Sequence, residues 1–367
     1  MLSRRDTFLA ALASIGAAAP LRELMAQPAP RPVAGLPATS IRPKWSVPFG
    51  TCVRPGPLDT DPGYRQALLH WCDQLVPEGD LIWAVTRPRP DAFVFDIADK
   101  ILNFARDNGK EQRGHTLVWY GAMPEWTKQI RSAREAESEM IRHIETVMGR
   151  YRGRIKRWNV VNEPIADNPA SRLDLRPSMW VSTLGEAYTS LAFRTAQAVD
   201  PACKLEIGEY DIEGTDVRSR RRREAFLRII RDMRGRGVPF HTVGLQAHLR
   251  GDIPIDKDAV SAFCAEMRSM GLEVIISELD VIDEKLPADI AMRDALVASR
   301  AYDFLDAVHA GTRPVATLSW GISDPHTWVP MWFKRKDGLV NRPLPLDAEF
   351  RPKPLMRVIE HFGLARA

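Results

Sequence analysis

The chain reads as an α/β protein forming a single (β/α)8 barrel of the TIM type, with its active site at the C-terminal ends of the strands. Three observations predict this. Eight short apolar runs of strand length alternate with longer segments of helical spacing. The alternation fills about 320 of the 367 residues, within the usual size of such a barrel. No glycine-rich phosphate loop follows the first run, which counts against the rival architecture, a doubly wound open sheet.

The runs come in order. They are VPFGTCV (47–53), DLIWAV (80–85), RGHTLVW (113–119) and IKRWNVVN (155–162), then CKLEIGEY (203–210), TVGLQAHL (242–249), EVIISELDV (273–281) and ATLSWGIS (316–323). Each is rich in β-branched or aromatic residues. Between them lie DIADKILNFARDNG (96–109), AESEMIRHIETVMGRY (136–151), GEAYTSLAFRTAQAVD (185–200) and DAVSAFCAEMRSMG (258–271), all with helical periodicity. Asp258 is the expected start of the last of these and Gly271 its stop. No repeat or low-complexity segment is visible, and the barrel takes residues 44–367.

Ahead of the barrel the composition changes. Residues 27–43, QPAPRPVAGLPATSIRP, carry five prolines and no periodicity, and read as a linker or arm. Residues 1–26 pair Arg4–Arg5 with a weakly apolar stretch, Phe8–Ala19, as in a twin-arginine export signal. Asp6 and Thr7 both separate the arginines from Phe8, where one residue is typical. Cleavage is expected after Ala19 or, by preference, after Ala26, and the latter would remove three arginines and two acids, taking the net charge from +4 to +3. The apolar stretch is too short to remain as a membrane span. A periplasmic or secreted, soluble and monomeric protein is therefore expected. The pI near 8.9 is mildly basic and is not the profile of a dedicated nucleic-acid binder. Cys52, Cys72, Cys203 and Cys264 contain no C-x-x-C pair, which argues against zinc and leaves disulfides and free thiols both open.

Polar and aromatic residues crowd the strand ends. They are His115 and Trp119 on the third run, Asn162 and Glu163 on the fourth, and Glu209, Tyr210 and Asp211 on the fifth. Gln246 and His248 lie on the sixth, Glu278 and Asp280 on the seventh, and Trp320, with Asp324 beyond it, on the eighth. One such residue would be ordinary core polarity; six strands converging on one rim point to a site. Glu163 and Glu278 end apolar runs on the fourth and seventh strands, so a closed barrel sets them across its mouth. Two opposed carboxylates are what glycoside hydrolysis requires, one protonated and one ionised. The bland alternative pairs both with arginines or has them cap helices.

RGHTLVW (113–119), RWNVVNEP (157–164), GLQAHL (244–249), SELDV (277–281), WGISDPHTW (320–328) and RPKP (351–354) resemble, in order, the signature segments of glycoside hydrolase family 10, the β-1,4-xylanases. The resemblance runs from about Phe49 to Phe362. It implies a retaining enzyme without metal or organic cofactor, acting on a xylan-type polysaccharide, with Glu163 as acid/base and Glu278 as nucleophile. It implies that Asn162 meets the sugar, that Gln246 and His248 line the nucleophile, and that Asp280 holds His248. His115, Trp119, Trp320 and Trp328 would surround the sugar at the cleavage point.

The second run departs from the family pattern. In EGDLIW (78–83), Glu78 and Trp83 match, but an asparagine has become Gly79 and a lysine Ile82. Tyr120 replaces a histidine, and in GEYD (208–211) only Tyr210 is unchanged. The reaction centre is thus kept while the glycone side is altered, which leaves a decorated xylan, a short xyloside or another β-glycan as alternative substrates. A glycan-binding barrel without turnover is the reading from a different class. A barrel for a phosphorylated metabolite lacks its phosphate cradle. RSRRRRE (218–224) reads first as a solvated helix face, and second as a contact for acidic glycan substituents. Trp332 and Phe333, in the long loop after the eighth run, either stack on sugar or pack that loop down.

Overall fold

The computed structural model describes residues 42–169 and 175–364. The expected export signal, residues 1–26, and nearly all of the expected arm, residues 27–43, lie outside the described residues.

The first half of the chain lays down β1 (Phe49–Val53), α1 (Pro55–Thr60), α2 (Pro62–Trp71), β2 (Gln74–Pro77), the single turn α3 (Trp83–Thr86) and α4 (Asp96–Asp107). Next come β3 (Glu111–Val118), α5 (Ala133–Arg150), β4 (Arg157–Asn162), α6 (Met179–Leu184) and α7 (Ala187–Val199). The second half adds β5 (Lys204–Glu209), α8 (Val217–Gly235), β6 (Thr242–Leu245), β7 (His248–Arg250) and α9 (Lys257–Ser269). It ends with β8 (Glu273–Ile282), α10 (Ile290–Gly311), β9 (Thr317–Ser319) and α11 (Pro354–Gly363). The strands pair in parallel, in the order β6-β5-β4-β3-β2-β1-β9-β8, and the β6–β8 pairing closes the ring. It is the (β/α)8 barrel expected.

Local chemistry explains the helix ends. A capping box between Ser132 and Glu135 starts α5. Asp216 caps α8, accepting from the backbone of Arg218 and Ser219. The cap of α9 is Asp256, two residues before the expected Asp258, and Gly271 follows that helix with φ near 70°, a conformation glycine adopts freely.

Strand parity sorts the core. Val274 and Ile276 join the large apolar layer between strands and helices, while Ile275 packs with Cys52, Val76, Leu318 and Trp320 inside the barrel. The interior also holds a buried ion pair, Arg113 Nη2 to Glu206 Oε1 at 2.5 Å. Gly244 on β6 makes room for it, since a Cβ there would lie 2.4 Å from Glu206 Oε1. All four cysteines are buried free thiols. No helix among the described residues is long and apolar enough to cross a membrane.

Two strand assignments need correction. The second strand is Gln74–Pro77, not 80–85; DLIWAV instead forms a turn and then α3. Trp83 supplied most of the strand signal there, and it is buried by stacking on His143 (centroids 4.0 Å apart) rather than by facing a sheet. The sixth run is two strands, β6 and β7, broken at Ala247, whose φ is 61°.

Candidate active site

Glu163 stands one residue beyond β4, with φ at 54°, a left-handed conformation that a residue with a Cβ adopts only under constraint. Two contacts hold it there. Its amide donates to the Gly208 carbonyl (2.9 Å), and Arg176 Nε donates to its own carbonyl (3.2 Å). The carboxylate has three neutral donors. Trp119 Nε1 donates to Oε2 (2.8 Å), while Gln246 Nε2 (3.0 Å) and Asn162 Nδ2 (3.2 Å) donate to Oε1. Burial raises its pKa above the ordinary glutamate value, and the donors and the Arg176 charge only partly offset that rise.

Glu278, within β8, is buried and meets a cation. His248 Nε2 lies 3.2 Å from Oε2, and His248 Nδ1 lies 3.0 Å from Asp280 Oδ1. Asp280 Oδ2 in turn accepts from Trp328 Nε1 (2.6 Å). Burial works against the charged imidazole, but the carboxylates of Asp280 and Glu278 outweigh it and raise the His248 pKa to about 10. Burial likewise pushes Glu278 up, yet His115 and His248 bring it below the ordinary glutamate value. His115 is itself pushed down to about 4 by burial, so the cation beside Glu278 at neutral pH is His248. Glu278 Oε1 has no hydrogen-bond partner among the described residues and lies 3.8 Å from His115 Nδ1.

Most of the other expected residues gather around this pair. The His115 and Trp320 rings meet edge to face (centroids 4.9 Å), as do His248 and Trp328 (4.9 Å). Asn162 Oδ1 accepts from Asn159 Nδ2 (2.7 Å) and Gln246 Nε2 (3.1 Å). Gln246 therefore bonds Glu163 and Asn162, and the break at Ala247 separates it from His248, two residues on, which bonds Glu278. Glu78 is half-buried and bound by Arg54. Trp83 is only 2% exposed, donates to the Leu117 carbonyl (2.7 Å), and supports the wall from behind rather than facing the cleft. Tyr210 is tied up by hydrogen bonds to Arg176 and Asp167. Among the described residues, no group of three His, Cys, Asp or Glu is placed to hold a metal ion.

The arginine run on α8 is only in part a solvated face, and it is not a free cationic patch. Arg222 is buried against Glu209, Arg223 reaches Asp256 and the Ile212 carbonyl, and Arg218 pairs with Asp211 and Asp167. Arg220 and Arg221 point outward. After β9, Phe333 packs edge-on to Trp328 while Trp332 is exposed. Sequence reasoning missed Arg54, Asn159, Asp167 and Arg176. Asn159 had a usable signal, a polar residue inside an apolar strand; the others lie in or beside loops that no periodicity marks.

A closed parallel barrel with two carboxylates at its mouth, one with its pKa raised and the other with its pKa lowered, is the arrangement glycoside hydrolysis uses. The chain belongs to glycosyl hydrolase family 10, whose model matches residues 39–361. It is 33% identical over 315 residues to Endo-1,4-beta-xylanase 1 of Humicola insolens, covering 83% of this chain and 69% of that protein. With Beta-1,4-xylanase of Dictyoglomus thermophilum the identity is 31%, over 79% of this chain and 82% of that protein. Native xylanase 10B from Thermotoga maritima superposes with a TM-score of 0.78 at 27% identity, over 86% of this chain and 94% of that one. Xylanase 10B from Thermotoga petrophila, in complex with xylobiose, gives 0.77 at 26% identity, over 86% and 93%.

Proposed function

We propose that this chain is a retaining endo-β-1,4-xylanase in which Glu163 is the acid/base and Glu278 the nucleophile. The observation that carries the assignment is the contrast between the two carboxylates. Burial pushes the Glu163 pKa above the ordinary glutamate value despite its donors, whereas the histidines His115 and His248, the latter backed by Asp280, bring that of Glu278 below it. Glu278 Oε1 attacks the anomeric carbon while Glu163 gives its proton to the departing glycosidic oxygen, leaving a glycosyl ester on Glu278. Glu163, now ionised, takes a proton from water as that water attacks the same carbon, which frees Glu278 and restores the original configuration.

The relatives named as xylanases, and the neighbour that holds xylobiose, support a xylan-type substrate. The signal read over residues 1–26 supports a periplasmic or secreted enzyme, and a monomer is the simplest state in which it meets a polymer. A second reading rests on the end of β2. Arg54 occupies the Glu78 carboxylate, and Gly79 and Ile82 offer no polar side chain, so the glycone side suits a substrate with fewer polar contacts there, such as a short or decorated xyloside.

The test is reducing-end release and product profile on linear xylan and glucuronoxylan, with Glu278→Gln as control. Mixed xylo-oligosaccharides that disappear in Glu278→Gln are expected. Binding of xylan without turnover would instead identify a glycan-binding barrel. A companion test uses Glu163→Ala, which should lose about 10²–10⁴-fold on xylan and far less on a dinitrophenyl β-xylobioside, whose leaving group departs without a proton.

A further inference from the structure

Arg176 lies just before α6, its side chain only 7% exposed, and lines a small cleft with Trp119, Tyr120, Asn162, Glu163 and Trp180. Its guanidinium makes four specific contacts. Nε donates to the Glu163 carbonyl (3.2 Å), Nη1 to Asp167 Oδ2 (2.9 Å) and Nη2 to the Tyr210 hydroxyl (2.7 Å). Its flat face covers the Tyr120 ring at 4.2 Å. The Tyr210 hydroxyl donates on to Asp167 Oδ1 (2.8 Å), which closes a ring of three hydrogen bonds. A buried guanidinium in so complete a cage has one geometry.

Among the described residues, the charges packed around this point are paired. On α8, Arg222 is taken by Glu209 at the end of β5, and Arg218 by Asp211. Asp167 faces Arg176, with Arg218 at 3.3 Å and Arg222 at 3.9 Å from its Oδ1. Tyr120 after β3 and Tyr210 after β5 are neutral phenols, and Glu278 approaches from β8. Among the described residues, the cation bonded to the Glu163 residue itself is Arg176. The carboxylate bonded to that cation is Asp167, which is half exposed, with buried Glu209 acting on it without a direct bond.

From this geometry we infer that Arg176 is a positioning residue for the acid/base, holding the left-handed backbone of Glu163 through its carbonyl, and that Asp167 sets how much of the Arg176 charge Glu163 feels. The inference rests on Glu163 being the acid/base. An Arg176 charge fully felt would strip Glu163 of its proton too early; an Arg176 removed would release the backbone that aims the carboxyl.

Three variants, Arg176→Gln, Arg176→Lys and Asp167→Asn, separate charge from position. The readout is the basic limb of the kcat/KM–pH profile, together with the ratio of activities on xylan and on the dinitrophenyl xylobioside. Arg176→Gln removes a cation, so the limb should move to higher pH by about half a unit or more. Asp167→Asn leaves that cation unbalanced, so the limb should move to lower pH by a similar amount. Arg176→Lys keeps the charge but cannot reproduce the fork, so the limb should stay near the parent's. It should nonetheless lose roughly tenfold on xylan and much less on the activated substrate. Limbs that move in the same direction, or not at all, with equal losses on both substrates, would reduce Arg176 to a scaffold role and overturn the inference. Should Arg176→Gln fail to fold, Asp167→Asn decides alone, because its limb must fall. Glu163→Ala is the reference: a variant blind to the leaving group would sink the Glu163 assignment and this inference with it, whereas a sensitive one with flat Arg176 and Asp167 variants sinks this inference only.

Discussion

At the scale of single residues, the state of Glu278, the proposed nucleophile, depends on one imidazole. His248 bridges two carboxylates and is the charged partner of Glu278 at neutral pH. Asp280→Asn should lower the pKa of His248, weaken its hold on the Glu278 carboxylate and so raise the pKa of Glu278. The acid limb of kcat/KM then moves to higher pH, and each unit of movement corresponds to about 1.4 kcal/mol. The loss of activity should be several-fold larger at pH 5 than at pH 8; a uniform loss across that range would mean that Asp280 only orients the ring. Stability follows the same group. Its folded pKa of about 10 exceeds the ordinary 6.5, so its contribution is complete below 6.5 and is lost as the pH rises through 10. Thermal midpoints should fall across that window, and less steeply in Asp280→Asn.

At the scale of elements, backbone breaks determine where side chains end up. The left-handed Ala247 splits the sixth stave, so Gln246 serves Glu163 while His248 serves Glu278. An unbroken strand would send these two residues to one face. Next to this break, Gly244 is held to a hydrogen by the Arg113–Glu206 pair. Gly244→Ala should force Glu206 off Arg113 and destabilise the fold by about 3–5 kcal/mol, the usual consequence of disrupting a buried pair, read from the denaturant midpoint. The fourth and seventh strands were legible in the sequence because each carries its proposed reacting residue at the end of an apolar run, as in RWNVVNEP and EVIISELDV. β2 was not, because four residues ending in a proline carry too little pattern against the stronger apolar run that follows. The break at Ala247 was hidden too, since alanine gives no sign of a left-handed turn. Asp167 and Arg176 act through a loop, where no periodicity constrains what meets what.

At the scale of the molecule, a closed barrel depends on the strand that joins its two ends. β1 pairs with β2 on one side and β9 on the other, and the segment just before it is fastened to α11. Ser46 and Val47 amides both donate to the Gly363 carbonyl (2.7 and 3.0 Å), and Trp45 forms an antiparallel bridge with Leu364. The Trp45 indole donates to the Trp71 carbonyl (2.8 Å) and packs on Phe49, while a Cβ on Gly363 would lie 2.9 Å from its ring. Trp45 thus links α2, β1 and α11. Trp45→Ala should remove about 2–3 kcal/mol, less than a fully buried tryptophan because its ring is half-buried. The effect should reach beyond the local contact. β1 also carries Cys52, which packs against Trp320 inside the barrel, and Trp320 is the edge partner of His115 beside Glu278. Loosening the β1 seam should therefore reduce xylan turnover at temperatures below the unfolding transition. Hydrogen exchange in β1 and β9 should quicken more than in β4 and β5 on the opposite side of the ring. A Trp45→Ala variant with a lower midpoint, unchanged turnover well below it and uniform exchange would show instead that the seam contributes only to global stability.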